Sequence, residues 1–235
     1  MENLRFRWPL GERDVVDIPE LLIQKGERVF IKGKSGSGKT TLMSLIGGIN
    51  QPNSGRITIL EESIGLLNQS KRDQFRADHI GFIFQLFNLI PYLSVIENIT
   101  LACRFSERRK ANALSKSSTL EDEARRLLSY LQFGGRGLMN KAVSDLSVGQ
   151  QQRVAAARAL IGAPELIIAD EPTSALDADT RESFLSLLLN ECELSDSTVL
   201  FVSHDQALES AFERCIHLNQ LNRSGVSNEQ QQECI

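Results

Sequence analysis

The eight residues Gly33-Lys34-Ser35-Gly36-Ser37-Gly38-Lys39-Thr40 constrain the fold more than any other part of the chain. They fit the pattern GxxxxGK[ST]. They lie between a short apolar run, Val29-Phe30-Ile31, and a stretch of helical spacing from Thr40 to Ile49. A strand that turns through glycines into a helix can wrap its backbone closely around an anion. The loop N–H groups and the positive end of the helix then face phosphate oxygens. In such a loop Lys39 reaches the outer phosphates and the Thr40 hydroxyl holds Mg²⁺. The competing reading is a flexible glycine-rich turn, which the flanking strand and helix disfavour.

Two further apolar runs end at polar groups suited to phosphate chemistry. Leu166 to Ala169 runs into Asp170-Glu171, and Thr198 to Val202 runs into Ser203-His204. Continuous apolar runs without alternation predict strands covered on both faces, as in a parallel sheet. Helical spacing follows from Asp179 to Leu194 and from Gln206 to Phe212. Strand-then-helix order predicts an α/β fold, whose ligands sit beyond the carboxyl ends of the strands. Asp170 at a strand tip can bind Mg²⁺ through water, and Glu171 beside it can polarise an attacking water. His204 is placed to touch the outermost phosphate.

From about Leu86 to Gly162 the strand signal fades. Ser94 with Glu97, and Ser118 with Glu121, have the spacing of capping boxes. Glu121–Leu131 and Gln150–Ile161 read as helices, so a helical lobe is expected here. The basic cluster Arg104, Arg108, Arg109, Lys110 and Lys116 reads as a solvated surface. After Leu221 the chain turns polar and is expected to be frayed or disordered.

A formal net charge of −4 lacks the broad basic footprint of a nucleic-acid binder, so no nucleic-acid partner is expected. No apolar run is long enough to cross a bilayer, and the first residues do not read as a secretion signal. Cys103, Cys192, Cys215 and Cys234 form no CxxC pair. Free thiols in a reduced compartment are expected, and a zinc site is not.

The segment Leu146-Ser147-Val148-Gly149-Gln150-Gln151-Gln152-Arg153 names a family. Ser147 is a good N-cap, and a capped helix start is an anion site. The segment resembles the LSGGQ signature of ATP-binding cassette (ABC) ATPases. In that family's order come the Walker A loop, Gln85, the signature, Walker B with Glu171, Ser174-Ala175-Leu176-Asp177, and His204. The resemblance covers about Leu4 to Asn219. Ile80 to Pro91, with Ser94 to Asn98, is similar to the lipoprotein-releasing and macrolide-export branch.

The resemblance implies a P-loop NTPase core with a mostly parallel sheet, an antiparallel β subdomain and an inserted α-helical subdomain. One domain would span 1–221, with the core at about 1–85 and 163–221, the helical part at about 86–162, and a polar tail at 222–235. It implies ATP and Mg²⁺ as ligands. Gly33, Ser35, Gly36, Ser37, Gly38, Lys39, Thr40 and Thr41 would bind the nucleotide, with Gln85 and a stacking Trp8; Phe6 is the second choice. Thr40, Gln85 and Asp170 would hold the metal. Ser147, Gly149 and Gln150 would clamp the nucleotide of a second cassette in a homodimer. Glu171, His204 and Lys39 would be catalytic. The partner would be an integral-membrane permease, and the chain would lie on the cytoplasmic face of the inner (plasma) membrane. A soluble ABC ATPase of translation or DNA repair is the alternative. One departure stands out: Val148 replaces the first glycine of the signature. With Ser147 as N-cap, Val148 falls in the first helical turn at negative φ, so the signature is expected to work.

Overall fold

The computed structural model describes residues 1–134, 136–174 and 176–224. The first half carries β1 (Glu2–Phe6), β2 (Val16–Glu20), β3 (Arg28–Lys32), α1 (Lys39–Ile46), β4 (Ser54–Arg56), β5 (Thr58–Ile59), β6 (Glu62–Ser63), α2 (Gln69–His79) and β7 (Ile80–Ile83). Four helices follow: α3 (Val95–Arg104), α4 (Glu107–Lys116), α5 (Leu120–Tyr130) and α6 (Val148–Leu160). The chain then forms β8 (Leu166–Asp170), α7 (Ala178–Leu194), β9 (Thr198–Val202), β10 (Arg214–His217) and α8 (Leu218–Leu221).

The three apolar runs become neighbours in one parallel sheet, ordered β10-β3-β9-β8-β7. Every residue of β9 is buried, which explains its unbroken apolar sequence: helices or the second sheet cover both faces. The register sets the strand tips level. Val202 pairs with Ile31 on one side and with Asp170 on the other. The glycine loop, Asp170-Glu171 and Ser203-His204 therefore emerge side by side from one edge.

An antiparallel sheet, β2-β1-β4, lies over one face. Leu4, Phe6, Val16 and Ile18 join Leu42, Leu45 and Ile46 of α1 and Ile31 and Val202 of the main sheet in one apolar core. On the other face α3, α5, α6 and α7 share a core with Phe30, Ile83 and Phe201.

Several expectations shift. Ser94 caps α3 with the full reciprocal box to Glu97. Ser118 caps nothing: the N-cap of α5 is Thr119, which accepts from the Asp122 N–H. The stretch after His204 is a 3₁₀ turn, Gln206–Ala211. The basic cluster lies in helix α4, except Arg104, which ends α3, and Arg109 within α4 is only 3% exposed. Its guanidinium donates to the carbonyls of Ile161 (2.8 Å), Arg158 (3.1 Å) and Ala159 (2.7 Å), the C-terminal end of α6. Gly162 follows at φ +74°, and a Cβ there would meet the Arg109 carbonyl at 2.4 Å. A cation on the carbonyl end of a helix satisfies its orphan acceptors and its dipole.

Candidate functional site

The glycine loop owes its shape to Gly36 and Gly38, at φ +79° and +93°. Gly38 is also the N-cap of α1, which has neither a side-chain cap nor an acidic residue in its first turn. The first N–H groups of α1 are thus left for an anion rather than neutralised by the chain. A Cβ on Gly38 would lie 3.0 Å from the Val15 carbonyl, so the β1–β2 connection presses against the loop. Lys39 Nζ donates to the carbonyls of Gly33 (2.7 Å) and Lys34 (3.0 Å), which lays the ammonium across the loop. Ser37 Oγ is buried without a hydrogen-bond partner. Ser35 and Thr41 lie in the same continuous stretch.

Thr40 Oγ1 donates to Asp170 Oδ2 at 2.8 Å, joining α1 to the tip of β8. Burial pushes the Asp170 carboxyl above its ordinary range, partly opposed by that hydrogen bond. A hydroxyl and a carboxylate this close form the all-oxygen donor pair that a hard divalent cation takes, so the residues fit Mg²⁺.

Glu171 sits in the left-handed region at φ +47°, an unusual place for a long side chain. The strained turn is held by a hydrogen bond from the Glu171 N–H to the Val202 carbonyl, 2.9 Å. It aims the carboxylate at the tip of β9. There Ser203 Oγ donates to Oε2 at 3.3 Å, and His204 Nδ1 lies 2.9 Å from both carboxylate oxygens. The Glu171 side chain is 12% exposed and that of His204 is 72% exposed. A sheltered carboxylate with an exposed imidazole on it can accept a proton from water at the site's rim.

Trp8 lies just past β1 at 46% exposure, edge-on to Phe6 with ring centroids 5.0 Å apart. Phe6 is in the core at 6% exposure, so only Trp8 offers a free ring face for a base. Gln85 is exposed in the turn two residues beyond the end of β7, the strand that pairs with β8. Among the described residues no hydrogen bond joins it to Thr40 or Asp170.

Ser147 caps α6 in a reciprocal box: Gln150 N–H to Ser147 Oγ at 3.3 Å, and Ser147 N–H to Gln150 Oε1 at 3.0 Å. Val148 opens the helix and is not among the residues of positive φ. Gly149 follows in the first turn. No hydrogen bond among the described residues links this segment to the glycine loop.

Two residues escaped sequence reasoning. Asn222, placed by composition in the polar tail, is buried. Its side chain accepts from the Asp17 N–H (2.8 Å) and donates to the carbonyls of Val15 (2.9 Å) and Ser37 (3.2 Å), tying β2 to the glycine loop. The rest of that tail, residues 225–235, lies outside the described residues. Arg181 on α7 donates to the Leu176 carbonyl (2.9 Å) and pairs with Asp205, next to His204. No motif signals either residue. Ala175 also lies outside the described residues.

A glycine phosphate loop and carboxylates at the tips of a five-stranded parallel sheet define a P-loop nucleotide-binding protein. The family model described as "ABC transporter" matches residues 16–174. The chain belongs to that family and is an ATP-binding, ATP-hydrolysing cassette. It is 37% identical over 205 residues to the lipoprotein-releasing system ATP-binding protein LolD of Syntrophotalea carbinolica, covering 87% of this chain and 86% of the relative. It is 37% identical over 220 residues to the probable syringafactin export ATP-binding/permease protein SyfD of Pseudomonas syringae, covering 93% of this chain. It spans only 32% of that longer protein. A solved dimer of the ATP-binding cassette MJ0796, in a post-hydrolysis state with ADP and Pi, is 35% identical at a TM-score of 0.78, covering 92% of each chain. The MJ0796 sequence is from Methanocaldococcus jannaschii.

Proposed function

We propose that this cassette works as a head-to-tail homodimer around two Mg·ATP and drives a separate integral-membrane permease from the cytoplasmic face of the inner membrane. The observation that carries the dimer is the split site. Ser147, Gly149 and Gln150 form a capped helix start suited to an anion, with Ser147 exposed, yet no hydrogen bond among the described residues joins them to the chain's own loop. A second copy supplies the phosphate that this helix end faces. The solved MJ0796 cassettes, described as dimeric, support the same arrangement.

Each residue then has a task. Gly33 to Thr41 cradle the phosphates, Lys39 leaves its carbonyls to pair with the outer phosphates, and Trp8 stacks on the base. Thr40, Asp170 and Gln85 would hold Mg²⁺, which neutralises charge building on the transferred phosphoryl group. Glu171 accepts the proton of the attacking water while His204 and Ser203 hold its carboxylate in place.

The permease reading rests on a groove of about 960 Å³ between the core and the helical lobe, lined by Ile49, Phe82, Phe84, Asn88 and Phe105 among others. Leu86, Tyr92 and Phe105 stand exposed nearby. An apolar groove beside the Gln85 segment suits a helical element of a membrane subunit. The relatives named for lipoprotein release and export support this branch over translation or DNA repair.

The dimer is tested with mixed variants. Lys39→Ala disables the loop, and Ser147→Arg disables the signature. Neither alone should hydrolyse ATP well, but a mixture should regain activity, since one composite site stays intact. A mixture as dead as its parents would refute the shared site. Affinity capture from solubilised membranes should return an integral-membrane permease; capture of ribosomes or DNA instead would overturn the transporter reading.

A further inference from the structure

We propose that Glu209, Cys215 and His217 form a binding site for a borderline divalent metal ion, Zn²⁺ being the best fit. The three side chains each offer one ligand atom, and these atoms all lie within 4.8 Å of one another. The donors are a carboxylate oxygen, a thiol sulfur and an imidazole nitrogen. That mixed set suits zinc, whereas Mg²⁺ and Ca²⁺ take oxygen alone.

The fold assembles the set from two pieces. Cys215 and His217 are i and i+2 on β10, so the strand's period of two points both side chains to one face. β10 ends its sheet, bonded among the described residues to β3 alone. Glu209 comes from the 3₁₀ turn Gln206–Ala211 that leads away from the His204 loop. The Cys215 thiol lies close to the Glu209 carboxylate. His217 is exposed and the other two are half-buried, so an ion can enter from solvent. Three protein ligands leave the fourth tetrahedral position to water or an exogenous ligand.

Binding replaces the thiol proton, which passes to solvent, and sets a dication against the thiolate so formed and the Glu209 carboxylate already present. Lys32 Nζ, 3.4 Å from Glu209 Oε2, is the cation that Glu209 now faces, and it competes with the metal. The bound ion would staple the turn after the switch histidine to the strand beside β3, the strand that feeds the glycine loop. The site lies apart from the Mg²⁺ position, at the opposite border of β3 from β8.

The test uses the full chain with Co²⁺ as a spectroscopic stand-in and Zn²⁺ in competition. Cobalt bound by a thiolate gives a near-ultraviolet charge-transfer band, which His204 or the carboxylates alone cannot produce. The native chain should show this band, saturating at one equivalent, and Zn²⁺ should bleach it. Cys234→Ser should keep the band, and Cys215→Ser should abolish it. His217→Gln and Glu209→Gln should each weaken binding at least about tenfold, as losing a metal contact does. Lys32→Met should tighten it. Zn²⁺ should raise the melting temperature of the native chain but not of Cys215→Ser. The Cys215, His217 and Glu209 variants change side chains that are at least partly exposed, and ATP binding checks their folding. No band in the native chain, a band that survives Cys215→Ser, or affinities unchanged by His217→Gln would overturn the site.

Discussion

Val148→Gly returns the signature to the family's usual glycine, and the structure sets a small size for its effect. Val148 is the first residue of α6, outside the left-handed region, so no backbone strain is relieved by glycine. The side chain is 49% exposed, so its removal forfeits about 1 kcal/mol of burial. Glycine adds a helix-propensity cost of a few tenths to about 1 kcal/mol, smaller at the first turn than in the interior. Stability should therefore fall by about 1–2 kcal/mol. The anion-facing parts, the Ser147 cap and the Gly149 backbone, remain in place through the box with Gln150. A tenfold rate change equals about 1.4 kcal/mol of barrier, and the stability lost here is lost from the helix start as a whole, not from the groups proposed to face the anion. Steady-state phosphate release at saturating Mg·ATP should stay within about tenfold of native, and the urea midpoint should fall slightly. A variant more than tenfold faster would show that the valine obstructs the closed site, and the reasoning from helix geometry would fail.

Glu171→Gln keeps the shape and the His204 contact but cannot take a proton. Turnover should fall about 100- to 10,000-fold, with ATP binding intact and a stable ATP-bound dimer on size exclusion; native-like turnover would remove Glu171 from its role. Arg109→Met leaves three carbonyls at the end of α6 without their donor. At about 1–3 kcal/mol for each buried unsatisfied group, partly relieved by relaxation, the loss should be about 3–5 kcal/mol in urea unfolding. Glu165→Gln tests a pH dependence. Burial pushes the Glu165 carboxyl up, but hydrogen bonds from His79 and Arg108 outweigh it and hold the group below its ordinary 4.5. A carboxyl lowered by folding stabilises above its unfolded value, and that stability is lost as pH falls through the folded value. The variant should be less stable than native by about 1–2 kcal/mol at neutral pH. The gap should close as the pH drops below 4.5.

The site was legible where local pattern and chemistry coincide. The glycine loop, Asp170-Glu171 and Ser203-His204 each end an apolar run, and a parallel sheet puts such ends together. Arg109 was misread because five basic residues in sequence look solvated. Only the fold reveals that one of them meets the end of α6, some fifty residues away. Asn222 lies in polar surroundings that signal a tail, yet its partners are 205 and 207 residues back. The weak strands β4, β5 and β6 are only two or three residues long, too short for alternation to register. Cysteine spacing looked for CxxC and passed over Cys215-Ile216-His217, whose third donor comes from a turn six residues upstream of Cys215.

One strained segment ties the signature helix to the stretch after Gln85. Phe87 and Asn88, just after Gln85, occupy the left-handed region at φ +60° and +48°. Two such residues in succession cost about 1–3 kcal/mol each and persist only where the surroundings over-determine them. Here the clamp is Arg158 of α6, whose guanidinium donates to the Phe87 carbonyl at 2.6 Å and the Asn88 carbonyl at 2.7 Å. The signature helix therefore holds the Gln85 segment directly. A shift of α6, which begins at the surface proposed to meet a second cassette, must carry that segment along or break two charge-assisted bonds. The same segment borders the groove between lobe and core. One arginine thus joins the signature helix, the stretch after Gln85 and the border of the groove.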